Sequence, residues 1–195
     1  MARRLRLPLT LALALCVSAC GLVPDSAPSL RYFEPPLAAI PLANAPGARV
    51  PHLRVRGTRA SAHLDTHMVY RLSSVESGQH PTRRWTQPPA YYVDLALGAA
   101  LFESGRFRRS VGSGEALLSV ELLAFEELRD GDGGARVELR AVLEDSHGFA
   151  LLERRYEASV DAALGPDEVA RALGLLLSSE VGKLAADVSE TLAAS

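Results

Sequence analysis

The sequence has little cysteine, no long apolar run and no excess of positive charge. Its 195 residues include 2 cysteines, Cys16 and Cys20, both near the N-terminus. The chain beyond residue 20 therefore has no thiol for an intrachain disulfide, a metal site or a cysteine nucleophile. The longest apolar stretch, Leu7 to Val17 interrupted by Thr10, is 11 residues, where a bilayer span needs ~20. The formal net charge is −2; the 21 basic residues less Arg3, Arg4 and Arg6 leave 18 against 23 acids. Such a body lacks the basic face that a nucleic-acid partner requires. What is present is ordinary for a folded chain, 48% hydrophobic and 23% charged. A domain of ~150 residues can bury a core without disulfides.

The N-terminus carries a targeting signal. Three arginines precede the short apolar run, the pattern of a secretory signal peptide. Val17-Ser18-Ala19-Cys20 has the small residues and terminal cysteine of a bacterial lipobox, so Cys20 is the expected lipidation site. More than one acyl chain gives durable anchoring where one is marginal. Gly21, rather than aspartate, follows the cysteine, which favours the outer membrane by the enteric sorting rule. The expected organisation is a signal peptide over 1–19, a tether from lipidated Cys20 over 20–48, and one domain over 49–195.

Seven prolines between Gly21 and Pro51 exclude a continuous helix or a central strand there. Arg31-Tyr32-Phe33-Glu34 is the one piece of the tether that reads as an edge strand. Beyond Pro51, His52 to Arg56 alternates as a half-buried strand should. Met68 to Leu72 and Arg83 to Thr86 are further strands, with a turn expected at Ser77-Gly78. Pro88-Pro89 opens a helix over Ala90 to Ser104 that Gly105 stops. Three alternating strands follow, on Leu118–Ala124, Val137–Leu143 and Ala150–Val160, joined by turn-rich Asp130–Gly134 and Asp145–Gly148. They predict an antiparallel meander. From Pro166 an apolar residue recurs every three or four positions to Leu192, which predicts an amphipathic helix. The expected fold is α+β: a two-layer domain, an antiparallel sheet including the C-terminal meander, with two amphipathic helices on one face.

Motifs for chemistry are sparse. His63-Leu64-Asp65-Thr66-His67 lacks the glutamate of a zinc-protease pattern and reads as a solvated segment. Asp130-Gly131-Asp132-Gly133-Gly134 starts like a calcium loop but has Ala141 at the twelfth position, and reads as a hairpin turn. Gly112-Ser113-Gly114 is followed by no phosphate-loop lysine, and no Gly-x-Ser-x-Gly elbow occurs. The sequence gives no reason to expect an enzyme, a metal or a cofactor. The unusual grouping is Tyr70 and Arg71 with Arg83, Arg84 and Trp85, which joins the single tryptophan to arginines and a proline pair. Trp and Arg are enriched at binding hot spots. A core tryptophan with arginines stacked on it and a partner contact both fit this pattern.

These pieces, in this order, resemble the ABC-type transport auxiliary lipoproteins of the PqiC type. The resemblance is carried by the lipobox at Cys20, Tyr32-x-x-Pro35, Val69-Tyr70-Arg71, Arg84-Trp85-x-x-Pro88-Pro89, and Leu118 to Glu127 before the meander and final helix. Its most specific pieces are Arg84–Pro89 and Leu118–Glu127. Family members often have an acid before the proline pair, where this chain has Gln87. The resemblance implies a non-enzymatic periplasmic subunit, anchored to the lipid membrane through Cys20. It would dock an MCE-domain protein with its ABC permease and ATPase, as a homo-oligomeric ring. Two other functions are compatible with the same sequence: an envelope scaffold or activator for cell-wall synthesis, and a direct lipid carrier.

Overall fold

The longest alternating segments build the centre of the fold. The computed structural model describes residues 29–39, 50–112, 114–161 and 165–195. Cys20, the expected signal peptide and much of the proline-rich segment lie outside the described residues. Strands β7 (Leu117–Leu128), β8 (Gly134–Glu144) and β9 (Ala150–Asp161) form the expected antiparallel meander. Leu118, Leu122, Val137, Leu139, Ala141 and Leu143 are all fully buried on its inner face. Burying each such Leu or Val stabilises the fold by roughly 1.5–3 kcal/mol. The connector after β7 is a hairpin turn, with Gly131, Gly133 and Gly134 at positive φ.

The other edge of β7 is served by three short strands in succession, all parallel to it: β2 (His52–Val55), β3 (Arg59–Ala60) and β4 (His67–Arg71). Strand β5 (Ser77–Trp85) pairs antiparallel with β4, and β1 (Arg31–Phe33) adds parallel to β5. A short β6 (Arg108–Arg109) pairs β2. The α+β class and two-layer arrangement are as expected. The sheet is mixed, however, with parallel pairs around β7 and at β1. The expected turn at Ser77-Gly78 is displaced. The chain reverses earlier, where Leu72 N–H donates to Glu76 C=O (2.9 Å), and Ser77 and Gly78 lie inside β5. Gly78 sits under the Tyr70 ring, where a side chain would collide with it.

Two helices cover the inner face. Helix α1 (Pro89–Leu97) begins at the second proline and continues as a π-helical turn over Gly98–Glu103, ending at Gly105 with φ 79°. Helix α2 (Pro166–Ala194) buries Val169, Leu173, Leu177, Val181, Leu184 and Val188, the predicted stripe. Its N-terminus is closed by Glu168, whose carboxylate accepts from the Gly165 N–H (2.7 Å). Arg154 interrupts the apolar pattern of β9 for a visible reason: it donates to Asp187 of α2 at 2.7 Å, as does the Tyr156 hydroxyl. Among the described residues no helix is long and apolar enough to cross a membrane.

Candidate functional site

The grouping of Tyr70, Arg71, Arg83, Arg84 and Trp85 is divided by the fold. Trp85 is 2% exposed. Its ring meets Phe125 edge-on at 5.1 Å and Tyr92 at 6.3 Å, so it is a core residue with no side-chain surface for a partner. Arg84 donates to the backbone carbonyls of His80 (2.8 Å) and Arg83 (3.1 Å). Cys20 lies outside the described residues.

Arg83 meets an acid the residue types alone did not single out, and Tyr70 packs on two of that acid's other partners. Glu127 accepts from His80 Nε2 (2.7 Å), Arg129 Nε (2.9 Å) and Arg83 Nη1 (3.1 Å). The Arg129 guanidinium also lies over the Tyr70 ring, 4.2 Å from its centroid, and the Tyr70 and His80 rings meet edge to face. Burial works to raise the Glu127 pKa, but the hydrogen bonds from His80 and Arg129 outweigh it and bring it down to about 2. Because that carboxylate is charged, His80 Nε2 serves as the donor. The cluster borders a cavity of about 490 Å³ lined by Arg129, the Gly131–Gly134 turn and Gly165.

Arg71 belongs to a separate network. It grips Glu126 through two hydrogen bonds, 2.6 and 3.0 Å, and the Glu126 side chain is fully buried. Arg136 joins Glu126 (3.1 Å) to Glu138 (2.6 Å) and Glu157 (2.8 Å), and Arg155 reaches Glu138 at 2.9 Å. In the register Glu138 faces Glu157 and Arg140 faces Arg155. Like charges opposite one another are unfavourable, and the ion pairs form diagonally instead. The result is a charge ladder across β4, β7, β8 and β9. Arg136 and Glu138 alternate on β8 itself, whereas Arg71, Glu126, Arg155 and Glu157 come from other strands and left no local signature.

Asp65 accepts hydrogen bonds from His67 N–H (2.6 Å) and Nδ1 (2.8 Å), a local turn. Among the described residues no group of three or more His, Cys, Asp or Glu is arranged to hold a metal ion.

The fold therefore defines a two-layer α+β domain with a polar cluster at one end of its sheet. The same fold occurs in protein XCC0632 from Xanthomonas campestris, of the family model DUF330. The match has a TM-score of 0.73 at 18% identity over 84% of this chain and 97% of that one. An uncharacterized protein matches at TM-score 0.63 and 18% identity over 85% of this chain and 99% of the other. Hypothetical protein CT253 from Chlamydia trachomatis matches at TM-score 0.54 and 11% identity, over 75% of this chain and all of that one. At these identities the likeness concerns the fold alone. No protein-family model and no curated protein matches the sequence.

Proposed function

We propose that this chain is a non-enzymatic, lipid-anchored periplasmic subunit. It docks an MCE-domain protein and its ABC permease and ATPase to the membrane that carries Cys20. One observation carries this reading. The two most specific pieces of the family resemblance, Arg84–Pro89 with its flanking Arg83 and Leu118–Glu127, meet as one unit. Trp85 packs on Phe125 (5.1 Å), and two residues before it Arg83 pairs with Glu127 (3.1 Å). The core aromatic pair fixes β5 on β7 and so presents Tyr70, Arg83 and Arg129 together at the surface. Arg83 and Arg129 keep part of their guanidinium surface exposed beside Tyr70, as donors for a partner's carbonyl or carboxylate oxygens.

The filled space between the layers argues against the lipid-carrier reading. Leu53, Val93, Leu101, Leu139, Leu173 and Leu184 are all fully buried there. Outer-membrane residence follows only from Gly21 and belongs to the same proposal.

The test is gentle purification of the full-length lipidated protein from native membranes, with mass spectrometry of what accompanies it. An MCE-domain protein with its permease and ATPase is the expected result. Peptidoglycan synthases in their place would move the function to the scaffold reading, and bound lipid without protein partners would move it to the carrier.

A further inference from the structure

Residues 31–38 of the proline-rich segment are fastened to the domain. Phe33 is buried, and its carbonyl accepts from Thr86 N–H at 3.0 Å. Ala38 N–H donates to Ser178 Oγ of α2 at 2.9 Å. Between them Pro36 lies against Gly174, where an added methyl group would collide with the Pro36 carbonyl. Arg31 reaches Asp167, in the first turn of α2, at 3.5 Å. The segment thus crosses from β5 to α2, held at both elements.

We infer that this segment is a strap. It shortens the anchor to the stretch from Cys20 to Leu30 and holds one end of the domain against the lipid surface, with Leu30 and Tyr32 at the interface. The inference rests on the lipid anchor at Cys20 proposed above. Its first support is reach. Ten residues extend at most ~36 Å, whereas a tether running to residue 49 would extend ~100 Å. A domain on the shorter leash stays beside its own membrane, as a docking subunit must.

The second support is what lies where the chain enters. Leu30 and Tyr32 are 53% and 63% exposed, while Phe33 turns into the core. Tyrosine is favoured at the headgroup level, its ring half-immersed and its hydroxyl in water. Arg31 ties this entry point to the N-terminus of α2, and Gly165 there shares its cavity with the Gly131–Gly134 turn. Asp130 and Asp132 flank Gly131 in that turn and Asp167 pairs with Arg31 at the same end, so the matching surface is zwitterionic rather than strongly anionic. The opposite end of the meander carries the Asp145–Phe149 turn, roughly 36 Å away along β8. Phe149, 71% exposed there, points away from the membrane on this arrangement.

The experiment uses full-length lipidated protein, with its mass measured, in vesicles of phosphatidylcholine brominated on the acyl chains. Tyr32→Trp is compared with Phe149→Trp; buried Trp85 contributes equally to both. Loss of emission at position 32 with none at 149 is expected. Equal quenching at both positions, or none at 32, overturns the strap while an acylated mass leaves the anchor standing. A mass without acyl groups on Cys20 overturns both.

Discussion

Glu126 and Glu127 are neighbours on β7 that face opposite sides of the sheet, and each is held by at least two arginines. Glu126 takes Arg71 and Arg136 on the face away from the helices. Glu127 takes His80, Arg83 and Arg129 on the other. Strand alternation thereby turns one acidic dipeptide into the centres of two separate ion clusters. Both carboxylates are nearly withdrawn from water, and a charge so placed depends on its partners.

Replacing Glu126 with Gln leaves Arg71 without its carboxylate, while Arg136 keeps Glu138 and Glu157. Breaking a buried pair costs about 3–5 kcal/mol, and the partial exposure of Arg71 lowers that to about 2–3 kcal/mol here. Urea unfolding followed by circular dichroism reads the change as a lowered midpoint. An unchanged midpoint would mean that the outer ladder adds nothing to stability.

Glu127 gives the fold an acid sensitivity. Its pKa falls from 4.5 to about 2 on folding. A carboxylate depressed in the folded state contributes stability that is fully present above pH 4.5 and is lost as pH falls toward 2. The contribution at neutral pH is on the order of 3 kcal/mol. Glu127→Gln is therefore expected to be less stable at pH 7 and to show a flatter stability profile between pH 5 and 2. Parallel profiles for the two proteins across that window would place the acid response elsewhere.

The long elements were legible in the sequence, and the short ones were not. Leu118–Ala124 of β7 and most of β8 and β9 alternate long enough to fix the period, and the stripe of α2 recurs from Val169 to Val188. Strands such as β3 and β6 have two residues each, too few for any period. Ser77-Gly78 has turn chemistry, but cross-strand cover of Gly78 by Tyr70 overrides it. The candidate site was half legible. Tyr70 and Arg83 stood out by type, whereas Glu127 lies 44 positions from Arg83 and past the Leu118–Ala124 alternation, beyond a register shift in β7. Ion pairs between strands distant in sequence have no characteristic spacing. Trp85 stood out for its rarity, and rarity does not distinguish a core residue from a contact.

Because Trp85 is core, its substitution tests packing rather than partner binding. Trp85→Ala is expected to cost about 3–5 kcal/mol. Trp85→Phe should cost much less, because the indole N–H has no hydrogen-bond partner among the described residues and its loss removes an unsatisfied donor. Thermal unfolding of both variants checks the order. If Trp85→Phe also loses the MCE-domain partner at full stability, the tryptophan takes part in binding after all.

Gly174→Ala inverts an ordinary rule. In a helix interior, alanine is more favourable than glycine by about 1 kcal/mol. Here the added methyl group meets the Pro36 carbonyl, a backbone atom that can move aside only if the strap lifts. Lifting it also breaks the bond from Ala38 N–H to Ser178 Oγ and loosens Phe33 from the core. The expected outcome is a helix that stays folded with a strap that opens. Limited proteolysis should then cut residues 31–38 faster in the variant than in the parent, while the helical circular dichroism signal is unchanged. Gly182→Ala, on the same helix with open space around it, is the control and should gain stability without exposing the strap. Equal cleavage rates in Gly174→Ala and parent would show that Gly174 does not govern how the strap is held.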